Sequence, residues 1–158
     1  MKKKQIGTAM VEFALVLPLL LILTFITTEF SRALYQYNTL TKSVRDAARY
    51  LSIQNPTILT TDPSKVTLAK NLVVYGNPNP AGTDLPLAFG LALGQVKDPV
   101  WRLAGASPVI NTVTVTVAGC ANSAPPCYKF VPLMASAFGV TFGIINYADI
   151  SATMRGPL

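Results

Sequence analysis

The chain contains no histidine. That absence removes the usual general base, the usual proton shuttle and the commonest metal ligand together. Cysteine occurs only twice, at Cys120 and Cys127, so a four-ligand zinc site has no complete donor set to draw on. Acidic residues number seven, and no two stand in a motif recognisable as a catalytic pair. The reading is of a protein that is not an enzyme, with no catalytic residue, no metal and no cofactor. Charge is scarce as well. Only 13% of residues are charged and 51% are hydrophobic, with a mean hydropathy of +0.42, whereas a soluble domain is usually about a quarter charged. This balance points to membrane contact or to extensive packing against partners.

The net charge is +6, and Lys2, Lys3 and Lys4 supply half of it. Lys65, Lys70, Lys97, Arg102 and Lys129 are scattered, without the basic face and interleaved aromatics of a nucleic-acid protein. No nucleic acid partner is expected. The three leading lysines read instead as a membrane-orientation signal that keeps the N-terminus cytoplasmic, with membrane lipid as a partner.

From Phe13 to Ile26 the chain reads FALVLPLLLILTFI, without a charge. Extended to 10–28, the run is close to the roughly twenty helical residues that cross a bilayer's hydrocarbon. Pro18 lies inside it and is expected to remove one helical hydrogen bond and kink the helix. In a membrane, neighbouring helices can satisfy the freed backbone. Beyond Glu29 the pattern becomes amphipathic. Phe30, Ala33, Leu34, Tyr37, Leu40, Val44, Ala47, Ala48 and Leu51 recur at spacings of three and four. Ser31, Arg32, Gln36, Asn38, Lys42, Arg45 and Arg49 take the other side as a solvated face, with Lys42–Asp46 and Asp46–Arg49 spaced for weak surface pairs. Asn55-Pro56 closes the segment, because a residue before proline is pushed out of helical geometry. The pattern predicts one long helix over 8–54, membrane-spanning at 10–28 and amphipathic at 29–52. An element of that length suits a rod packed among copies of itself or relatives.

Glu12 stands at the threshold of the apolar run. Three readings of this terminus compete. A secretory signal peptide would have small residues at its cleavage site, which Ser31-Arg32-Ala33 offers. However, Glu12 lies between the lysines and the apolar core, and the core flows into a helical stripe rather than a turn. A plain signal anchor explains the lysines and the length but leaves Glu12 a liability. A carboxylate in the hydrocarbon costs roughly 2.5–3.5 kcal/mol, less near the interface. The third reading rests on Gly7-Thr8-Ala9-Met10-Val11-Glu12-Phe13, which resembles the prepilin-peptidase signature. In that family a short basic leader ends in glycine, and glutamate is fifth in the mature chain. The resemblance implies cleavage between Gly7 and Thr8, leaving Thr8 as the new N-terminus. Its ammonium would be the counter-ion of Glu12, in cis or on a neighbouring subunit. Such an attraction is about 1 kcal/mol at 4 Å in water and larger where the dielectric falls.

The resemblance extends further. Ala9, Val11, Glu12, Phe13, Ala14, Leu15, Pro18, Leu19 and Leu20, followed by Asp46-Ala47-Ala48-Arg49, are similar to the TadE-like minor pilins, or pseudopilins, of tight-adherence (Tad/Flp) pili. The terminal ISATMR, Ile150 to Arg155, resembles the family's last strand. Major Flp pilins are much shorter, and type II secretion and type IV pilins usually begin with a Phe-Thr-Leu-Ile-Glu type of sequence that Thr8-Ala9-Met10-Val11 does not match. The resemblance implies a single-pass protein of the cytoplasmic membrane with an extracytoplasmic head, built into a pilus after processing. Its implied partners are other pilins, a prepilin peptidase and an inner-membrane assembly platform, and its implied role is pilus assembly, adhesion or secretion. The alternative is a membrane-anchored binding or adhesion domain outside any filament.

The head, over 55–158, is expected to be α+β: a short helix and an antiparallel sheet beside the long helix. Asp62-Pro63 is a helix start, Val66, Ala69, Leu72 and Val73 are its apolar stripe, and Gly76 with Asn77-Pro78-Asn79-Pro80 is its stop. Residues 85–96 read equally as a strand pair or a loose helix. Trp101 is either a core anchor or an interface residue. Thr112 to Val117 alternates strictly and predicts a strand, as do residues 148–155. Tyr128 to Val131 is placed to pair with the first of these across the cysteine loop. With the head outside the membrane, a Cys120–Cys127 disulfide is expected, reduced cysteines or an intermolecular bridge being the alternatives.

Overall fold

The computed structural model describes residues 5–56, 62–134, 136–137 and 140–156. Lys2, Lys3 and Lys4 lie outside that set. The long helix is present as one element, α1, Gln5–Ser52, two residues shorter at its end than the pattern predicts. At about 1.5 Å per residue it measures on the order of 70 Å. After it come α2 (Pro63–Tyr75), a single 3-10 turn (Leu93–Gln95), β1 (Val100–Ala104), β2 (Ile110–Val117), β3 (Lys129–Phe130), β4 (Ser136–Ala137), β5 (Val140–Thr141), β6 (Ile145–Asn146) and β7 (Ile150–Arg155). The class is α+β, as the pattern implies.

The chain divides into two compact units, one of Met1–Leu34 with Val131–Ile144, the other of Tyr35–Phe130 with Ile145–Leu158. In the first unit the apolar side chains of α1, among them Phe13, Leu15, Leu19 and Leu23, are exposed. The hydroxyls on this part of the helix are turned inward. Thr24 donates to the carbonyl of Leu20 at 2.7 Å, Thr28 to that of Thr24 at 2.6 Å and Ser31 to that of Thr27 at 2.7 Å. Each donor is satisfied one turn back along its own helix and so needs no water. The unit's other regular element is the hairpin β4–β5, in which Ser136 faces Thr141 and Ala137 faces Val140.

The second unit holds the core. Leu40, Val44, Ala47, Ala48 and Leu51 of α1 cluster with Val66, Ala69, Val73 and Val74 of α2, with Val113, Val115 and Val117 of β2, and with Ile150 of β7. The valines of β2 are buried and its threonines are not, which realises the period-2 pattern. The antiparallel sheet has the order β1-β2-β7, with Trp101 opposite Val113 and Ala152 opposite Val115. On the threonine face Thr114 and Thr153 share a hydrogen bond of 2.8 Å. Helix α2 starts and stops where its punctuation says. Pro63 fills the first turn, and Gly76 caps the end at φ 69°, its N–H donating to Leu72 O. A side chain there would also press on Leu87.

Several expectations are corrected. Tyr128 to Val131 does not pair with β2. Both edges of β2 are taken by β1 and β7, and Lys129 and Phe130 pair with Asn146 and Ile145 instead. Tyr128 bridges only to Gly119, just beyond the end of β2, while Val117 at that end bridges to Val96. Residues 85–96 form neither a strand pair nor a helix but turns and the 3-10 turn. Among the described residues, neither Lys42–Asp46 nor Asp46–Arg49 is an ion pair; the pair on α1 is Glu29–Arg32 at 2.6 Å. Trp101 lies half-buried against the core from β1.

Candidate functional site

The first part of the site is the start of α1. Gly7, Thr8 and Glu12 are all helical and exposed. Thr8 and Glu12 are four residues apart, so they lie on one side of the helix with a rise of about 6 Å between them. Glu12 takes part in none of the ion pairs of the described residues, which join Glu29–Arg32, Asp62–Lys65, Asp98–Lys70 and Asp149–Lys97. Gly7 lies within α1, near the first of the described residues. Glycine weakens a helix by about 1 kcal/mol relative to alanine. A Cβ added at Gly7 would meet nothing within 4 Å. Pro18 is also within α1 and lacks the N–H that the carbonyl of Ala14 would accept.

Sequence reasoning passed over Glu29, which is buried with its side chain 11% exposed and salt-bridged to Arg32. The i, i+3 spacing of Glu29 and Arg32 was the available signal.

The second part lies in the other unit, where the helix meets the strands. Tyr128 is buried and donates its hydroxyl hydrogen to Gln36 Oε1 at 2.8 Å. Its ring stacks on Tyr147, with centroids 5.7 Å apart and an interplanar angle of 8°, and Tyr37 approaches Tyr147 at 5.8 Å. Burial pushes the Tyr147 hydroxyl pKa above its ordinary value. Nothing at the level of sequence links residues so far apart.

Beside this joint the Cys120–Cys127 disulfide is formed. The loop it closes is latched by Asp149. One carboxylate oxygen accepts from the Gly119 N–H and from the Ser123 hydroxyl, each at 2.9 Å, and the other accepts from Lys97 Nζ at 2.7 Å. The Lys97 hydrogen bond, foremost, and those from Gly119 and Ser123 hold the Asp149 carboxyl below its ordinary pKa despite some opposing burial. Gly119 is required for close approach: a Cβ there would fall on the carbonyl oxygens of Tyr147 and Ala148. The joint and latch are a mechanical arrangement. The latch holds the disulfide loop to the segment before β7, and the joint ties Tyr128 to α1 at Gln36.

Comparison with known families finds a match over the first helix. Residues 7–49 fit the family described as TadE-like protein. The match covers α1 almost to its end and none of the domain that follows. No curated protein and no solved structure matches the chain. α1 is long and apolar enough to cross a membrane.

Proposed function

We propose that this chain, TadE-like through its first helix, is a minor pilin or pseudopilin of a tight-adherence pilus. On this reading the lysine-rich leader, residues 1–7, stays in the cytoplasm, residues 10–28 span the membrane, and the head, residues 55–158, lies outside. A prepilin peptidase cuts between Gly7 and Thr8, and the processed helix packs among other pilins. The chain is then a building block and a peptidase substrate rather than a catalyst.

The observation that carries the reading is the placement of Glu12. It lies one turn beyond Thr8 on an exposed apolar helix within the matched segment. A carboxylate in that position has no favourable environment in lipid. Cleavage after Gly7 would create an ammonium one turn away in the same chain, and docking would bring a neighbour's ammonium as close. Pairing by either route turns an insertion cost into an attraction that grows as water is excluded.

The test is sorting. Glu12→Gln and Glu12→Ala variants are expected to reach the membrane in normal amounts but to be lost from the sheared pilus fraction. A variant recovered from pili at the wild-type level would overturn the assembly role. A wild-type chain found only as an unprocessed membrane protein would favour an anchored binding domain instead.

A further inference from the structure

We propose that Val131, Leu133, Val140 and Ile144, in the stretch 131–144, form a second membrane contact seated in the headgroup region of the bilayer. The inference rests on the membrane-anchored reading of α1. The stretch belongs to the same compact unit as Met1–Leu34 rather than to the unit that holds the core. It is also free of charge. From Phe130 to Ala148 the sequence has no Asp, Glu, Lys or Arg, and the first charges on either side are Lys129 and Asp149. Val131, Leu133, Val140 and Ile144 are exposed, Leu133 at 71% and Ile144 at 53%. An apolar surface of this kind marks a contact site. In the same unit the helix also exposes apolar side chains, Leu19, Leu23 and Phe30 among them. The occupant that fits both surfaces is lipid.

Backbone chemistry sets the depth. Irregular lipid-facing backbone is not tolerated in hydrocarbon, because its N–H and C=O groups find no partners there. Within the stretch, β4 and β5 pair over only two residues each. Irregular backbone of this kind is accommodated at the interface, where water and headgroups are at hand while apolar side chains reach toward the acyl boundary. At its base Phe130 pairs with Ile145, so the stretch leaves and rejoins the fold at one point.

The experiment uses the full-length chain in phosphatidylcholine–phosphatidylglycerol vesicles. A nitroxide is placed by cysteine substitution at Leu133 or Ile144, with Leu19 in the expected span and Leu103 on exposed β1 as references. Collision with oxygen, which partitions into lipid, is compared with collision with a water-soluble nickel chelate. The labels at Leu133 and Ile144 are expected to favour oxygen, at a depth shallower than that at Leu19, while Leu103 favours nickel. Labels at Leu133 and Ile144 that favour nickel beside a lipid-exposed Leu19 would overturn the inference alone. So would labels shielded from both reagents, which would assign the stretch to a protein partner. A water-exposed Leu19 would sink the anchor reading and the inference with it. Should Leu133→Cys disturb the fold, a label at Val140 gives the same readout.

Discussion

Tyr128 and Gln36, ninety-two positions apart, are joined by a hydrogen bond of 2.8 Å. The bond ties α1, just beyond its apolar part, to the segment that follows the disulfide loop. With Tyr147 stacked on Tyr128 and Tyr37 beside it, the joint fixes which side of the helix the strands see. A hydrogen bond from a buried phenol contributes about 1 kcal/mol net.

Gln36→Leu and Tyr128→Phe are each expected to lower stability by about 1 kcal/mol, and the double variant by less than their sum. Denaturant unfolding of the full-length chain in detergent, read as a double-mutant cycle, measures the coupling. Additive effects would contradict the joint.

The Asp149 latch predicts a pH dependence. Its folded pKa is held below the ordinary 3.8. Its contribution is therefore complete above the unfolded value and is lost as the pH falls through the lower folded value. Asp149→Asn should reduce Tm at pH 7, and the gap from wild type should narrow as the pH drops below about 4. Thermal unfolding of both proteins from pH 7 to pH 3 checks this. A gap unchanged across the range would show that charge is not what the carboxylate contributes.

Gly119→Ala should be among the most destabilising substitutions in the head, costing about 2–3 kcal/mol as a small-to-large change against fixed backbone. The Tyr147 and Ala148 carbonyls that block its Cβ belong to the segment leading into β7 and cannot step aside as a flexible side chain would. A calorimetric scan of the variant tests it; wild-type stability would mean that the segment yields.

The first helix was legible because its signals are local. An uncharged run, a three-and-four stripe and a carboxylate at a set distance from a glycine all lie within one window. The same holds for β2 and β7, where alternation reports one buried face, and for α2, bounded by Asp62-Pro63 and Gly76. What the sequence hid depends on long-range closure. β1 reads VWRLA, with no alternation, and becomes a strand only because β2 offers it an edge. The Tyr128 segment follows β2 closely enough to pair with it, but β7, some twenty residues further on, takes that edge. The latch of Lys97, Ser123 and Asp149 joins three distant segments, and no spacing announces it. At the candidate site, the one-turn spacing of Thr8 and Glu12 on a helix was readable from sequence alone, whereas the Gln36–Tyr128 joint was not.

The central claim is that the bond between Gly7 and Thr8 is cut and the remainder is kept, and N-terminal sequencing of the chain recovered from membranes and pili tests it most directly. A terminus at Thr8 is expected, abolished by Gly7→Ala. A terminus at Met1, or one at Leu34 as a secretory signal peptidase would leave, would contradict it.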